Sequence, residues 1–253
     1  MNRRTVLRLL GSTSALSTLP LVFPSRATGQ SRPRYTVQGP SDAPTVLVFD
    51  RMPSGYYRSL AEEYRVVVLD YPPRDVSQEF VDAFTTEQVC AEIVAVADAV
   101  GAARFAWFGF SWGAAVGLQL AVRTNRLTAL ACGGWPPLGG QYDETLAVAE
   151  AGAARGGDKH YVTYYRSLQN WPERDAVSKL TCPRLVFAGT NDQFVAEGHS
   201  IRIGPLVSEH RNELEGLGWT VRLVDGFGHE LGARPDVVIP LLQEFFDPLL
   251  RRV

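Results

Sequence analysis

The chain has 253 residues, of which 45% are hydrophobic and 21% charged, and its formal net charge at pH 7 is −2. This length and composition indicate an ordinary globular protein with one large α/β domain or two small ones. The near-neutral charge, and the lack of any stretch in which basic residues alternate with aromatic ones, argue against a nucleic-acid partner. The histidines and cysteines show no metal-ligand spacing, so we expect no metal and no other cofactor. The cysteines are too few and too scattered for a disulfide framework, and two of them, Cys90 and Cys132, are predicted core residues.

The first predicted element is an export signal over residues 1–27. The first thirty residues carry four arginines and no acidic residue, and an apolar stretch runs from about Val6 to Phe23. The run Arg3-Arg4-Thr5-Val6-Leu7-Arg8 resembles the twin-arginine export motif, although Asn2 and Val6 depart from its usual form. We therefore expect a periplasmic or secreted protein.

A cleavage site for this signal is predicted at Ser25-Arg26-Ala27, where small residues flank the arginine. The alternative is an uncleaved membrane anchor, for which the apolar stretch is barely long enough. No later segment of the sequence is long and apolar enough to span a bilayer, so we expect no stable membrane insertion after cleavage. Residues 28–253 would then form the folded domain.

Six short runs rich in β-branched and aromatic residues are predicted strands. Their apolar residues are nearly continuous rather than alternating, which is typical of strands covered on both faces. The predicted strands are Thr45–Phe49, Tyr64–Asp70, Arg104–Phe108, Leu127–Cys132, Arg184–Ala188 and Trp219–Val224.

Helical patterns separate these strands. One helix should begin after a capping Thr85 or Thr86 and run to about Val100, before Gly101. Alternating strands and helices predict an α/β fold, doubly wound, with a mostly parallel sheet and helices on both faces. The other predicted helices are Trp112–Arg123, Ile203–Leu217 and Asp236–Arg251.

The segment from about 135 to 180 breaks this alternation, because it contains no predicted strand. It holds a helical stretch from Tyr142 to Ala154, the pair Gly156-Gly157, and then an aromatic-rich run. We interpret it as a short helical lid inserted between two strands. Its aromatic residues would either line a substrate pocket or pack the lid onto the domain.

The sequence Gly109-Phe110-Ser111-Trp112-Gly113 matches the pattern G-x-S-x-G. The pattern lies between a predicted strand and a predicted helix, which is the context in which it holds a nucleophilic serine on a sharp turn. Side chains at Gly109 and Gly113 are expected to collide across that turn. The alternative is an ordinary strand-to-helix turn that contains a serine without a catalytic role.

Two further polar groups follow predicted strands at their carboxyl ends. Asp192 comes after the strand that ends at Ala188, and His229 comes after the strand that ends at Val224. Ligand sites of open α/β sheets lie along this edge, where Ser111 is also predicted to lie. Alone, Asp192 could be a turn residue and His229 a loop histidine.

In type, order and strand context, Ser111, Asp192 and His229 resemble the catalytic triad of the α/β-hydrolase superfamily. The resemblance covers the chain from about Arg34 to its end. It implies that Ser111 is the nucleophile, that His229 is the general base and then the acid, and that Asp192 orients His229. Two nearby carboxylates, Asp225 and Glu230, are expected to be loop or surface residues. A serine nucleophile argues against the dehalogenase and epoxide hydrolase branches, which use aspartate there.

The oxyanion segment departs from this family. Where relatives usually have His-Gly and a bulky residue, this chain has Asp50-Arg51-Met52. The backbone N–H groups of Met52 and Trp112 are the expected oxyanion donors. Arg51 either faces the pocket and binds an anionic substrate group, or pairs with Asp50 away from the site.

Two functions from different classes follow from these residues. The first is a serine hydrolase that cleaves an ester or related acyl bond of a small substrate through an acyl-enzyme intermediate, similar to carboxylesterases and lactonases. In this protein Arg51 and Trp135 are candidate substrate-binding residues. The second is a non-catalytic binding protein with the same fold, in which the altered oxyanion segment prevents turnover.

Overall fold

The computed structural model describes residues 34–73 and 76–250, so the predicted export signal lies outside the described residues. The described residues contain a seven-stranded sheet, a two-stranded hairpin, ten α-helices and one short 3₁₀ helix at His229–Ala233. Strands β1 to β9 are Arg34–Gln38, Thr45–Phe49, Arg65–Asp70, Phe105–Phe110, Leu127–Gly133, Arg184–Gly189, Gln193–Ala196, His199–Arg202 and Trp219–Val224.

The helices alternate with these strands as the sequence predicts. Helices α1 to α10 are Ser54–Ala61, Gln78–Ala83, Thr86–Ala99, Trp112–Arg123, Tyr142–Ala154, His160–Arg166, Glu173–Ser178, Ile203–Glu209, Arg211–Gly216 and Pro235–Leu250. The Thr85 side chain accepts a hydrogen bond from the Gln88 N–H, so the predicted cap of α3 is confirmed.

The sheet has the strand order β1-β3-β2-β4-β5-β6-β9. All neighbouring pairs are parallel except β1 with β3, which is antiparallel. The doubly wound, mostly parallel α/β fold is therefore confirmed. The carboxyl ends of β4, β6 and β9 lie along one edge of the sheet, and each is followed by a residue of the predicted triad.

Both faces of the sheet are covered by apolar packing. In β2, Leu47 and Phe49 belong to one buried cluster, whereas Val46 and Val48 belong to a second cluster on the opposite face. Successive residues of a strand point to opposite faces, so a continuous apolar run serves both cores. Cys90 and Cys132 are free and buried, as predicted.

The fold differs from the sequence-based expectation at strand β1, at the β7–β8 hairpin, at helices α1 and α2, which were not predicted, and at the predicted helix over Ile203–Leu217. Strand β1 and the β7–β8 hairpin were not predicted, because most of their side chains are exposed and they contain no continuous apolar run. The single helix predicted over Ile203–Leu217 is instead two helices. The backbone leaves the helical conformation at His210, where φ is −96° and ψ is 8°.

The segment between β5 and β6 contains helices α5, α6 and α7 and no strand. Glu173 at the start of α7 holds this segment to the loop that precedes α5. Its carboxylate accepts hydrogen bonds from the N–H groups of Gly139 (2.6 Å) and Gly140 (3.0 Å) and from the Tyr142 hydroxyl (2.9 Å). One carboxylate therefore satisfies two backbone donors of the loop and the hydroxyl of the first residue of α5.

Candidate active site

Ser111 occupies a sharp turn between β4 and α4. Its φ of 55° and ψ of −121° lie in a region that residues other than glycine rarely adopt, which costs about 1–3 kcal/mol. The turn is held on both sides: the Ser111 N–H donates to the Gly133 carbonyl (2.7 Å), and the Ser111 carbonyl accepts from the N–H groups of Ala114 and Ala115. The surrounding structure thus keeps the serine in a strained position at the end of the strand.

The two glycines of the motif have different roles. A Cβ atom at Gly109 would lie 2.1 Å from the carbonyl oxygen of Gly113, which no side chain tolerates. A Cβ atom at Gly113 would lie 3.5 Å from the nearest atom, on the Phe49 ring, which is an ordinary contact. The expected collision across the turn is confirmed for Gly109 and wrong for Gly113. The crowded part of Gly113 is its backbone carbonyl, and a side chain on Gly113 would have room.

The structure brings the three predicted triad residues together. The Nε2 atom of His229 lies 3.0 Å from the Ser111 hydroxyl oxygen. The Nδ1 atom of His229 lies 3.0 and 3.1 Å from the two carboxylate oxygens of Asp192. Asp192 is fully buried, whereas the His229 side chain is 30% exposed. Hydrogen bonds therefore connect a buried acid to a histidine, and that histidine to an accessible serine.

The loops that carry Asp192 and His229 are bound directly to each other. The Asn191 N–H donates to the Phe227 carbonyl (2.9 Å), and the Thr190 N–H donates to the Val224 carbonyl (3.0 Å). A Cβ atom at Gly189 would lie 2.0 Å from the Phe227 carbonyl oxygen, so only glycine permits this approach. The glycine that precedes the acid loop is a sequence signal for this close packing.

The two competing carboxylates have other partners. Asp225 accepts a hydrogen bond from the Thr190 hydroxyl (3.2 Å), and Glu230 accepts one from the Gly228 N–H (2.8 Å). Both hydrogen bonds are exposed. Asp192 is thus the carboxylate that contacts His229 Nδ1, and the other two are loop residues, as expected.

A cavity of about 390 Å³ opens around the Ser111 hydroxyl. Its walls come from the β2–α1 loop, the β4–α4 turn, Tyr161 of α6 and the 3₁₀ helix that begins at His229. The residues that line it include Phe49, Arg51, Met52, Pro53, Phe110, Ser111, Trp112, Tyr161, His229 and Glu230. A small substrate can therefore reach Ser111 and His229 from one pocket.

Solved structures of the α/β-hydrolase superfamily superpose on this chain. A carboxylesterase from the ammonia-oxidizing thaumarchaeon Nitrososphaera gargenis has a TM-score of 0.68, with 13% identity, over 87% of this chain and 96% of its own. An α/β-hydrolase enzyme from a sediment metagenome of the lagoon of Mar Chica, Morocco, has a TM-score of 0.63, with 18% identity, over 88% and 99%. The chain has the α/β-hydrolase fold.

Other α/β-hydrolase structures are similar at the same level. Epoxide hydrolases from metagenomes of hot environments have a TM-score of 0.59, with 19% identity, over 85% of this chain and 94% of theirs. No family model and no curated protein matches the sequence. The similarity to these structures therefore lies in the fold alone.

The oxyanion segment of this α/β-hydrolase fold differs from expectation. The Met52 N–H donates to the hydroxyl of Tyr57 (2.9 Å), so it is not free to serve an oxyanion in this structure. The same hydroxyl lies 3.1 Å from the Phe49 carbonyl and 3.0 Å from the Met52 carbonyl. Burial raises the pKa of Tyr57 to about 12, so this hydroxyl stays protonated. Sequence reasoning missed Tyr57, because its role is a tertiary contact without a motif.

Trp112, the other predicted donor, begins helix α4. Its N–H has no acceptor among the described residues, and as the first helical residue it points away from the helix body. The Trp112 ring stacks between Phe49 (4.9 Å) and Phe84 (5.9 Å) and contacts Tyr161 at its edge (5.3 Å). This packing fixes the residue that carries the free donor.

The two candidate substrate-binding residues lie in different environments. Arg51 lines the cavity, and its Nη2 atom donates to the Pro72 carbonyl (2.6 Å). Trp135 is 5% exposed, packs against Tyr142 and Tyr165, and does not line the cavity. The prediction that Trp135 binds substrate is therefore corrected: its ring is part of the core between sheet and lid segment.

Residues 34–73 and 76–250 contain no group of three potential metal ligands. None of the helices in this part of the chain has the length and hydropathy that crossing a bilayer requires.

Proposed function

We propose that the protein is a serine hydrolase that cleaves an ester or a related acyl bond of a small substrate through an acyl-enzyme intermediate. The observation that carries this proposal is the continuous contact from Asp192 through His229 to Ser111, with donor–acceptor distances of 3.0 Å on both sides of the imidazole. The strained backbone of Ser111 and its position in an open cavity support the same assignment.

The charge of Asp192 determines which nitrogen of His229 carries the proton. An ionised carboxylate only accepts hydrogen bonds, so the hydrogen lies on Nδ1 and the lone pair lies on Nε2. Nε2 then accepts the hydroxyl proton of Ser111 while Oγ forms a bond to the acyl carbon. Buried Asp192 stabilises the imidazolium that results.

The imidazolium next gives its proton to the leaving group as the carbon–oxygen bond of the ester breaks. This step leaves an acyl group on Ser111 and releases the alcohol. A water molecule then attacks the acyl carbon while His229 takes its proton as general base, and the acid is released from Ser111. The step needs no cofactor, because water is the only co-reactant.

Negative charge on the carbonyl oxygen requires donors during both steps. The Trp112 N–H is free for this purpose and lies at the positive end of helix α4. The Met52 N–H would have to exchange the Tyr57 hydroxyl for the oxyanion. Loss of one oxyanion donor typically costs about 10²–10³ in kcat, so a slow but measurable enzyme is expected if this exchange does not occur.

Fluorophosphonate labelling tests the proposal. The protein without residues 1–27 should be labelled by a fluorophosphonate probe and should hydrolyse p-nitrophenyl acetate, whereas the Ser111→Ala variant should do neither. Hydrolysis at the same rate in both proteins would refute the role of Ser111.

A second candidate function is a non-catalytic binding protein with the α/β-hydrolase fold. The contact between the Met52 N–H and Tyr57 favours it, because it removes one of two expected oxyanion donors. This candidate predicts no turnover above the Ser111→Ala control for any acyl substrate, together with retained binding of a ligand in the cavity.

We also propose that the protein is exported. The proposal is supported by the arginine pair at Arg3-Arg4, the apolar stretch behind it and the lack of acidic residues in the first thirty positions. Mass spectrometry of the exported protein should find a start near residue 28. An intact Met1 in the cytosolic fraction alone would refute it.

A further inference from the structure

Arg51 provides the positive charge of the cavity that surrounds Ser111. Among the residues that line this cavity, Arg51 is the arginine and Glu230 is the carboxylate, and the walls are otherwise mainly apolar and aromatic. A guanidinium on an apolar wall is an effective partner for a carboxylate, because it presents paired N–H donors in a plane and stays charged at all relevant pH values.

Most of the hydrogen-bonding capacity of Arg51 is unused by the described residues. Its Nη2 atom donates to the Pro72 carbonyl at 2.6 Å, and a guanidinium has five N–H donors. No carboxylate of residues 34–73 or 76–250 forms an ion pair with Arg51. The expected alternative, a pair between Arg51 and Asp50, is thus not formed. The Pro72 contact instead fixes the side chain and leaves donors for a ligand.

The charge of Arg51 acts on two side chains of helix α6. Burial raises the pKa of Tyr161, which lines the cavity on helix α6, and the Arg51 charge opposes this rise. Burial lowers the pKa of the neighbouring His160; Asp158 opposes this and Arg51 adds to it. The guanidinium, held at the Pro72 carbonyl, therefore acts on helix α6 across the cavity that Arg51 and Tyr161 both line.

The strand order places Arg51 and His229 on opposite sides of Ser111. Arg51 follows β2, which neighbours β4 on one side, whereas His229 follows β9, which lies beyond β5 and β6 on the other side. His229 protonates the leaving group, so the leaving group departs on the His229 side. Glu230 lines that side and would repel an anion there. The acyl part of a substrate should therefore point towards Arg51.

We infer that Arg51 is a specificity-determining residue that binds a carboxylate on the acyl part of the substrate. The substrate class is then the half-esters of short dicarboxylic acids, in which one carboxyl group is esterified and the other is free. This inference rests on the proposed serine hydrolase function and adds the acyl-side anion to it. A fork of two N–H···O contacts to the free carboxylate would orient the ester carbon over Ser111.

The test compares two esters of equal chain length. p-Nitrophenyl hemiglutarate carries the free carboxylate, and p-nitrophenyl valerate is its neutral analogue with the same leaving group. The preference is the ratio of kcat/KM for the anionic ester to kcat/KM for the neutral ester. This ratio should be about tenfold lower or more in Arg51→Gln than in wild type, which corresponds to about 1.4 kcal/mol. Arg51→Lys keeps the charge but loses the fork, so it should retain part of the preference.

The loss should appear mainly in KM, because the carboxylate contact is the same in the ground state and the transition state. The difference in ester preference between wild type and Arg51→Gln should also be smaller at high salt, because Arg51 is exposed and salt screens its charge. A series of hemimalonate, hemisuccinate, hemiglutarate and hemiadipate esters would find the chain length that spans Ser111 and Arg51. A ratio that is unchanged in Arg51→Gln, while the neutral ester is still hydrolysed, would overturn the inference.

A binding measurement separates this inference from the proposed function. Glutarate titrated into Ser111→Ala should bind, and binding should weaken at least tenfold in Ser111→Ala/Arg51→Gln. Equal glutarate binding by these two variants would overturn the role of Arg51 whether or not the protein is an enzyme. Failure of the hydrolase proposal would instead appear as equal valerate hydrolysis by wild type and Ser111→Ala. Circular dichroism of each variant checks that the fold is retained.

Discussion

The two glycines that flank Ser111 should respond in opposite directions to the same added methyl group. In Gly109→Ala the new Cβ would lie 2.1 Å from the Gly113 carbonyl oxygen and 2.7 Å from the Ala114 nitrogen. That carbonyl is held by the Nε1–H of the buried Trp107 at 3.0 Å, so it has little room to retreat. Relief therefore requires the β4–α4 turn itself to move by roughly an ångström.

Overpacking of this kind costs typically about 1–3 kcal/mol and more when backbone must shift, so we expect Gly109→Ala to lose about 3 kcal/mol of unfolding free energy. In Gly113→Ala the new Cβ meets only the Phe49 ring at 3.5 Å. Because alanine is favoured over glycine within a helix, Gly113→Ala should raise the free energy of unfolding by about 0.5–1 kcal/mol. The two variants should thus differ by about 4 kcal/mol, obtained by combining these two magnitudes.

Urea unfolding of the two variants beside wild type measures this difference through the midpoint at constant slope. Hydrolysis of p-nitrophenyl acetate should follow it, because a turn displaced in Gly109→Ala moves Ser111 away from His229. Equal midpoints for Gly109→Ala and wild type, or an equal loss in both variants, would refute the account of the turn.

Three further variants test other contacts. Asp192→Asn should lower kcat by about 10⁴ with little loss of stability, because the amide favours the wrong tautomer of His229, and steady-state kinetics at neutral pH measure this. Tyr57→Phe should lower the unfolding free energy by about 1–3 kcal/mol, since the Met52 N–H loses its acceptor, and no change in the urea midpoint would contradict it. Burial raises the pKa of Glu173 above its ordinary 4.5, so the native state holds this proton more tightly than the unfolded chain. The stability from Glu173 is therefore full below that value and is lost as the pH rises through the native pKa; Glu173→Gln should flatten this slope in urea unfolding from about pH 4 to about pH 7.

Elements with continuous apolar runs or clear end signals could be predicted closely. Strands β2 and β9 and helix α4 have the predicted bounds, because buried parallel strands read as unbroken apolar runs and α4 begins directly after the serine turn. The meeting of Ser111, Asp192 and His229 followed from strand order, since the carboxyl ends of parallel strands share one edge.

Features that depend on tertiary contacts were not predictable from the sequence. The Tyr57 hydroxyl accepts a hydrogen bond from the Met52 N–H, and no local sequence pattern predicts this contact. Trp135 and Tyr161 are both lid aromatics, yet only Tyr161 lines the cavity, because packing of the lid decides which ring faces inward. The exposed strand β1 lacks the apolar run that marks the buried strands.

Trapping of the acyl-enzyme identifies the residue that attacks the acyl carbon. Wild-type protein mixed with p-nitrophenyl acetate and quenched in acid during the first turnover should gain one acetyl group, which peptide mass spectrometry should locate on Ser111. His229→Ala should prevent this acylation while leaving the fold intact. An acetyl group found only on other residues, or p-nitrophenol release without any acetyl group on Ser111, would contradict the claim that Ser111 is the nucleophile.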